Sequence, residues 1–190
     1  MTVAPFFELA NKKVEGDFAF HLLSDQHKEI LIKLDSTLIS NDVGVILLQG
    51  EPGCGITTLL GALNELQPKR TKLLEGDIYL GQWGFVDHLC NAFNIECDSY
   101  RKNFIPPNLI RVLGLTRKNC ILIDDLDIYI SSAYELDAVF LTIQEVLSKV
   151  AGLTFVVSAR SADILKRFHA LSQPTWRVYT VMRLHSGSGQ

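Results

Sequence analysis

The sequence predicts an α/β fold: a three-layer sandwich in which a mostly parallel five-stranded sheet carries helices on both faces. Three observations lead there. Short apolar runs near 43–49, 72–74, 120–123, 154–157 and 177–182 alternate with segments of helical periodicity, and strands that alternate with helices pair in parallel. The first run ends in a glycine-rich turn, Gly50-Glu51-Pro52-Gly53-Cys54-Gly55, and the third ends in two acids, Asp124 and Asp125. Right-handed crossovers bring the carboxyl ends of parallel strands to one edge, so segments 50–57, 124–127 and 158–160 are expected to converge.

Residues 1–24 read as an irregular leading arm, with Phe6, Phe7, Phe18 and Phe20 packing it onto the domain. Ser24 or Asp25 can cap a helix over 26–40, where Ile30, Leu31, Leu34 and Leu38 recur at helical spacing. Val43 to Gln49 is apolar on both faces, as a central parallel strand must be. A helix over 58–66 follows and stops at Pro68; 72–74 is a short strand. Helices are expected over 79–93 and from Pro107 to Leu115, then the buried strand 120–123. A long helix spans 132–150, a strand 154–157, a helix 161–171 broken by Pro174, and a last, shorter strand 177–182. The domain is expected over 25–185, with 186–190 a disordered tail or cloning scar.

The 190 residues are 47% hydrophobic and 21% charged, enough for one domain with a full core. A net charge of −3 supplies no global attraction to nucleic acid or anionic membrane. No 18-residue apolar run and no signal-peptide layout is present. The scattered cysteines, Cys54, Cys90, Cys97 and Cys120, lack zinc spacing and are expected to be reduced thiols in a cytoplasmic protein, with Cys54 exposed in the loop.

The stretch GVILLQGEPGCGITTL carries the first chemistry. Strand, glycine turn and helix in that order are the context of a phosphate-binding loop, in which backbone N–H groups and a helix N-terminus face one anion. The pattern G-x-x-x-x-G-K-[ST] falls on Gly50, Gly55, Ile56 and Thr57, with Ile56 in the lysine's place. The cradle (Gly50, Pro52, Gly53, Cys54, Gly55, Ile56, Thr57, Thr58) is kept, and so is the Mg²⁺-binding hydroxyl of Thr57, but the reaching cation is gone. Asp124, at the end of a buried strand, is the second candidate metal ligand. Asp125 is placed to orient or deprotonate an attacking water. Ser158, ending the next strand, can touch a γ-phosphate or that water, and Arg160 is a candidate cation. Asp127 reads as a solvated loop acid.

With these residues in place, the chain resembles the AAA+ superfamily of P-loop ATPases, nearest to the ExeA/GspA-type secretion ATPases and DamX-type ATPase-like domains. PFFELA, the Ser24-x-x-His27-x-x-Ile30 spacing, VILLQGEPGCGITTLLGAL, ILIDDLD and TFVVSAR carry the likeness, which covers residues 5–182. It implies a P-loop NTPase fold that binds ATP or ADP with Mg²⁺. Two departures from the resemblance are expected: a degenerate Walker A position at Ile56, and no C-terminal helical lid after the fifth strand.

The expected function is an ATP-binding AAA+-like domain with impaired or absent hydrolysis. It would serve as a nucleotide switch or assembly module in a larger bacterial complex, with other protein subunits or further copies of itself as partners. One alternative is a nucleotide-free interaction scaffold of the same fold. Another is an active ATPase whose cation comes from Arg160, Lys69, Arg70 or a neighbouring subunit. A DNA-transposition regulator is the last, and the charge balance argues against it.

Overall fold

The computed structural model describes residues 23–40, 43–74, 84–96, 104–171 and 173–182. Helix α1 (Asp25–Ser40) precedes β1 (Val45–Gly50), which feeds α2 (Ile56–Leu66) and β2 (Thr71–Leu74). Helices α3 (Phe85–Ala92) and α4 (Pro107–Leu115) lead to β3 (Cys120–Ile123). A 3-10 turn (Leu126–Tyr129), α5 (Ala133–Lys149), β4 (Thr154–Ala159), α6 (Ala162–Leu171) and β5 (Trp176–Val181) complete the order. The expected arm lies outside the described residues apart from Leu23 and Ser24, as do the tail 186–190 and the stretch 79–83 given to the third helix.

The five strands form one sheet in the order β2-β3-β4-β1-β5, and every pairing is parallel. Alternate residues of each strand face opposite layers. Val45, Leu47, Ile121, Ile123, Phe155 and Val157 pack with the inner sides of α3, α4, α5 and α6. Ile46, Leu48, Leu122, Val156 and Val181 pack with α1 and α2. That is a helix–sheet–helix sandwich, as the doubly apolar runs predict. The last strand is six residues long, the same as β1, rather than short. Its residues alternate because β5 is an edge strand, with exposed Arg177 and Thr180 and a half-buried middle.

Local chemistry sets the element ends. Pro107 opens α4, where its missing N–H costs nothing. Ser132 caps α5 by accepting the Glu135 N–H at 3.2 Å, and Glu135 Oε2 reaches back to the Ser131 N–H at 2.7 Å. The 3-10 turn after the acids has no helical period to announce it. It is held by burial of Leu126 and by Tyr129, which stacks edge-on to Phe85 at 5.3 Å and hydrogen-bonds His88. Burial pushes the Tyr129 phenol well above its usual range, so it stays protonated.

One partly buried polar contact ties the first layer together. Gln67, just past α2, donates from Nε2 to Asp35 Oδ1 of α1 at 2.6 Å. Burial raises the Asp35 carboxyl above its ordinary 3.8, opposed by the Gln67 bond and by Arg70. The folded chain therefore binds this proton more tightly than the unfolded chain. Asp35 costs stability at neutral pH, and the cost fades as pH falls through the raised pKa toward 3.8. Asp35→Asn keeps the acceptor and removes the charge. It is expected to raise Tm near neutral pH, with the gain closing by about pH 4, measured by thermal unfolding across pH.

Candidate functional site

The site is assembled by the position of β4. β1 pairs with β4 so that Leu47 faces Val157 and Gln49 faces Ala159; Val157 also faces Ile123 of β3. Gly50 and Asp124 therefore leave the sheet at the same edge, about 10 Å apart across two strand spacings. The crossovers from β1 and β4 run to opposite faces: α2 joins the α1 layer and α6 the other. Neighbouring strands that part this way open a crevice at their carboxyl ends.

The glycine turn has the conformation its sequence requires. Gly53 and Gly55 have φ of +80° and +91°, where side chains are strained. A Cβ on Gly53 would meet nothing within 4 Å, so that side of the loop is open. Gly55 begins α2 with no side-chain cap, and among the described residues no acceptor takes the Ile56, Thr57 or Thr58 N–H. Unpaired amides at a helix N-terminus favour an anion. Thr57 and Thr58 are exposed. Cys54, expected to be exposed, is instead buried at 5% exposure; its sulfur turns inward and would lie 2.4 Å from a Cβ on Gly50. Ile56 packs beside it on the apolar cluster between the sheet and the first helix layer. Cys90 and Cys120 are also buried and in no disulfide, and Cys97 lies outside the described residues.

At the next strand ends the acids and Ser158 form one hydrogen-bonded unit. The buried Ser158 hydroxyl donates to Asp124 Oδ1 at 2.8 Å and accepts the Asp125 N–H at 2.7 Å. Its proton is thus committed to Asp124. Asp125 has φ of +59°, a left-handed backbone uncommon outside glycine that aspartate tolerates better than most residues. Its Oδ2 is ion-paired to Arg160, and its Oδ1 is buried with no hydrogen-bond partner. Asp127 is not a merely solvated acid: its two oxygens accept the Arg160 and Ser161 N–H groups at 2.8 and 3.0 Å. It anchors the turn into α6, a role invisible without the fold because its partners are more than thirty positions away.

Lys69 and Arg70 do not reach this edge. They lie beyond the far end of α2, roughly 16 Å along its axis, and the Arg70 carbonyl accepts the N–H of Cys120 at the start of β3. A cavity of about 260 Å³ also lies away from the loop, at the opposite edge, lined by Gly44, Gln144, Leu147, Thr175 and Trp176 among others. The donor set suits Mg²⁺: a hydroxyl on Thr57, and on Asp124 a carboxylate with only one oxygen bonded to Ser158. Mg²⁺ takes one or two protein oxygens and fills its shell with phosphate and water. Among the described residues no group of three or more His, Cys, Asp or Glu could hold a metal, and no helix is long and apolar enough to cross a membrane.

No protein-family model matches the sequence, and no curated protein does. Solved structures do. The Walker-type ATPase paby2304 of Pyrococcus abyssi superposes with a TM-score of 0.52 at 14% identity, covering 84% of this chain and 54% of that one. Drosophila ORC bound to DNA gives 0.52 at 14% identity, over 81% of this chain and 40% of that one. The fold is that of the P-loop NTPases. The chain spans about half the length of these solved chains.

The Asp127 bonds are open to test. Asp127→Ala is expected to cost about 1 kcal/mol, the usual loss for a side chain satisfying a helix start, and Asp127→Asn less. Urea unfolding reads both, and an unchanged midpoint in the alanine variant would show the two bonds to be idle.

Proposed function

We propose that this chain is an ATP-binding AAA+-like domain with impaired or absent hydrolysis, serving as a nucleotide switch or assembly module within a larger complex. One observation carries the reading: an open glycine cradle with unpaired helix amides stands two strands from an acid held by Ser158, while its lysine position is an apolar Ile56. ATP or ADP would take the amides of Gly53 to Thr58. Mg²⁺ would sit between Thr57 and Asp124 and offset phosphate charge. Asp125 would be the base for an attacking water, but Arg160 holds it. Loss of one charge-assisted donor and occupation of the base both weigh against turnover. The subgroup likeness to ExeA/GspA-type and DamX-type proteins belongs to this reading, as do protein subunits or further copies as partners.

A nucleotide-free scaffold is the second reading, favoured by the packing of Ile56 and Cys54 under the loop. An active ATPase, with Arg160 as the cation, is a third; Lys69 and Arg70 are out of reach. Drosophila ORC was solved bound to DNA, so a DNA-handling role is a fourth, tested by mobility shift at moderate salt.

Calorimetry with ATP·Mg²⁺ and ADP separates these. The unmodified chain is expected to bind weakly, and Ile56→Lys to bind roughly tenfold or more tightly, as one charged hydrogen bond would give. Heat from neither leaves the scaffold. Phosphate release by the unmodified chain that Asp125→Ala abolishes would instead establish an ATPase.

A further inference from the structure

The phosphate loop is tied from outside by a side chain of α1. His27 Nε2 lies 2.7 Å from the Cys54 carbonyl oxygen, and Ser24 Oγ lies 2.6 Å from His27 Nδ1. A carbonyl only accepts, so Nε2 carries the hydrogen. In the neutral ring Nδ1 then accepts the Ser24 hydroxyl. Ser24 in turn accepts the His27 N–H at 3.2 Å, so one hydroxyl serves both the start of α1 and the ring tautomer. The approach depends on Gly55: a Cβ there would stand 2.8 Å from His27 Nε2.

We infer that His27 is a positioning residue of the phosphate-binding loop; the inference rests on the nucleotide-binding reading above. In a trans peptide the C=O and N–H point in opposite directions. Cys54 C=O and Gly55 N–H belong to one peptide. Pinning that carbonyl toward α1 turns the Gly55 N–H away from α1, and among the described residues no acceptor takes it. His27 thereby sets the direction of one amide offered to the anion. Ile56 cannot hydrogen-bond the loop from within. Among the described residues, His27 is the side chain that hydrogen-bonds it from without.

Inorganic pyrophosphate, which reads the cradle alone, is the probe, titrated into isotope-labelled full chain and followed by NMR. In the unmodified chain the Gly55 amide is expected to shift and saturate. His27→Ala should weaken binding roughly tenfold, the scale of one misdirected hydrogen bond. His27→Gln, whose amide nitrogen reaches the same carbonyl, should restore it to within about threefold. A role in stability alone would move Tm but not produce this rescue. Pyrophosphate affinity and a Cys54 carbonyl ¹³C shift both unchanged in His27→Ala would overturn the inference. If the unmodified chain binds no pyrophosphate, the nucleotide reading fails by itself. The positioning claim is then decided in the free chain: the Cys54 carbonyl and Gly55 amide shifts must move in His27→Ala and return in His27→Gln, and shifts that stay put refute it. Should His27→Ala not fold, His27→Asn, too short to reach, replaces it with the same expected losses.

Discussion

β4 is the member on which the site turns. It is buried along its whole length and pairs with the loop strand β1 on one side and the acidic strand β3 on the other. Its carboxyl end therefore stands between the two halves of the constellation. Ser158 is there because a fully buried strand can end on a polar group only if that group is satisfied, and Asp124 and Asp125 satisfy it from the next strand. The same geometry sends Asp127 to the start of α6. Three acids thus acquire three separate environments within four positions: one oriented by a hydroxyl, one paired with a guanidinium in a left-handed backbone, one anchoring a helix.

The charge arrangement follows from that. In a phosphate site, cations offset phosphate and acids hold the metal or activate water. Here Ile56 is apolar and packs on the cluster beneath the loop, and Arg160 is paired with Asp125. Among the described residues, the amides at the start of α2 have no acceptor. Backbone amides remain because they are set by glycine conformation and by the neighbouring helix, not by the residue at position 56.

Much of the fold was readable in advance. Apolar runs between helical periods announce parallel strands, and five pair in parallel among the described residues. Ile30, Leu34 and Leu38 on α1 and Val139, Phe140 and Ile143 on α5 are buried as their spacing predicts. The 3-10 turn at 126–129 was not readable, since it rests on the packing of Tyr129 against Phe85 and His88. Nor was the depth of Cys54, which depends on the loop curling its sulfur toward Gly50. The Ser24-x-x-His27 spacing was visible only as a family likeness; its contact with Cys54 crosses 27 positions.

Composition and periodicity by themselves determined the layers, the order of the elements, the glycine-rich turn, the acid pair and the isoleucine at position 56, because each is a local property of neighbouring residues. Tertiary structure alone decided that β4 lies between β1 and β3, that Arg160 occupies Asp125, that Lys69 and Arg70 face the wrong edge, and that an α1 histidine grips the loop. Those are contacts between segments far apart along the chain. Their geometry follows from strand order and packing, which no stretch of sequence carries on its own.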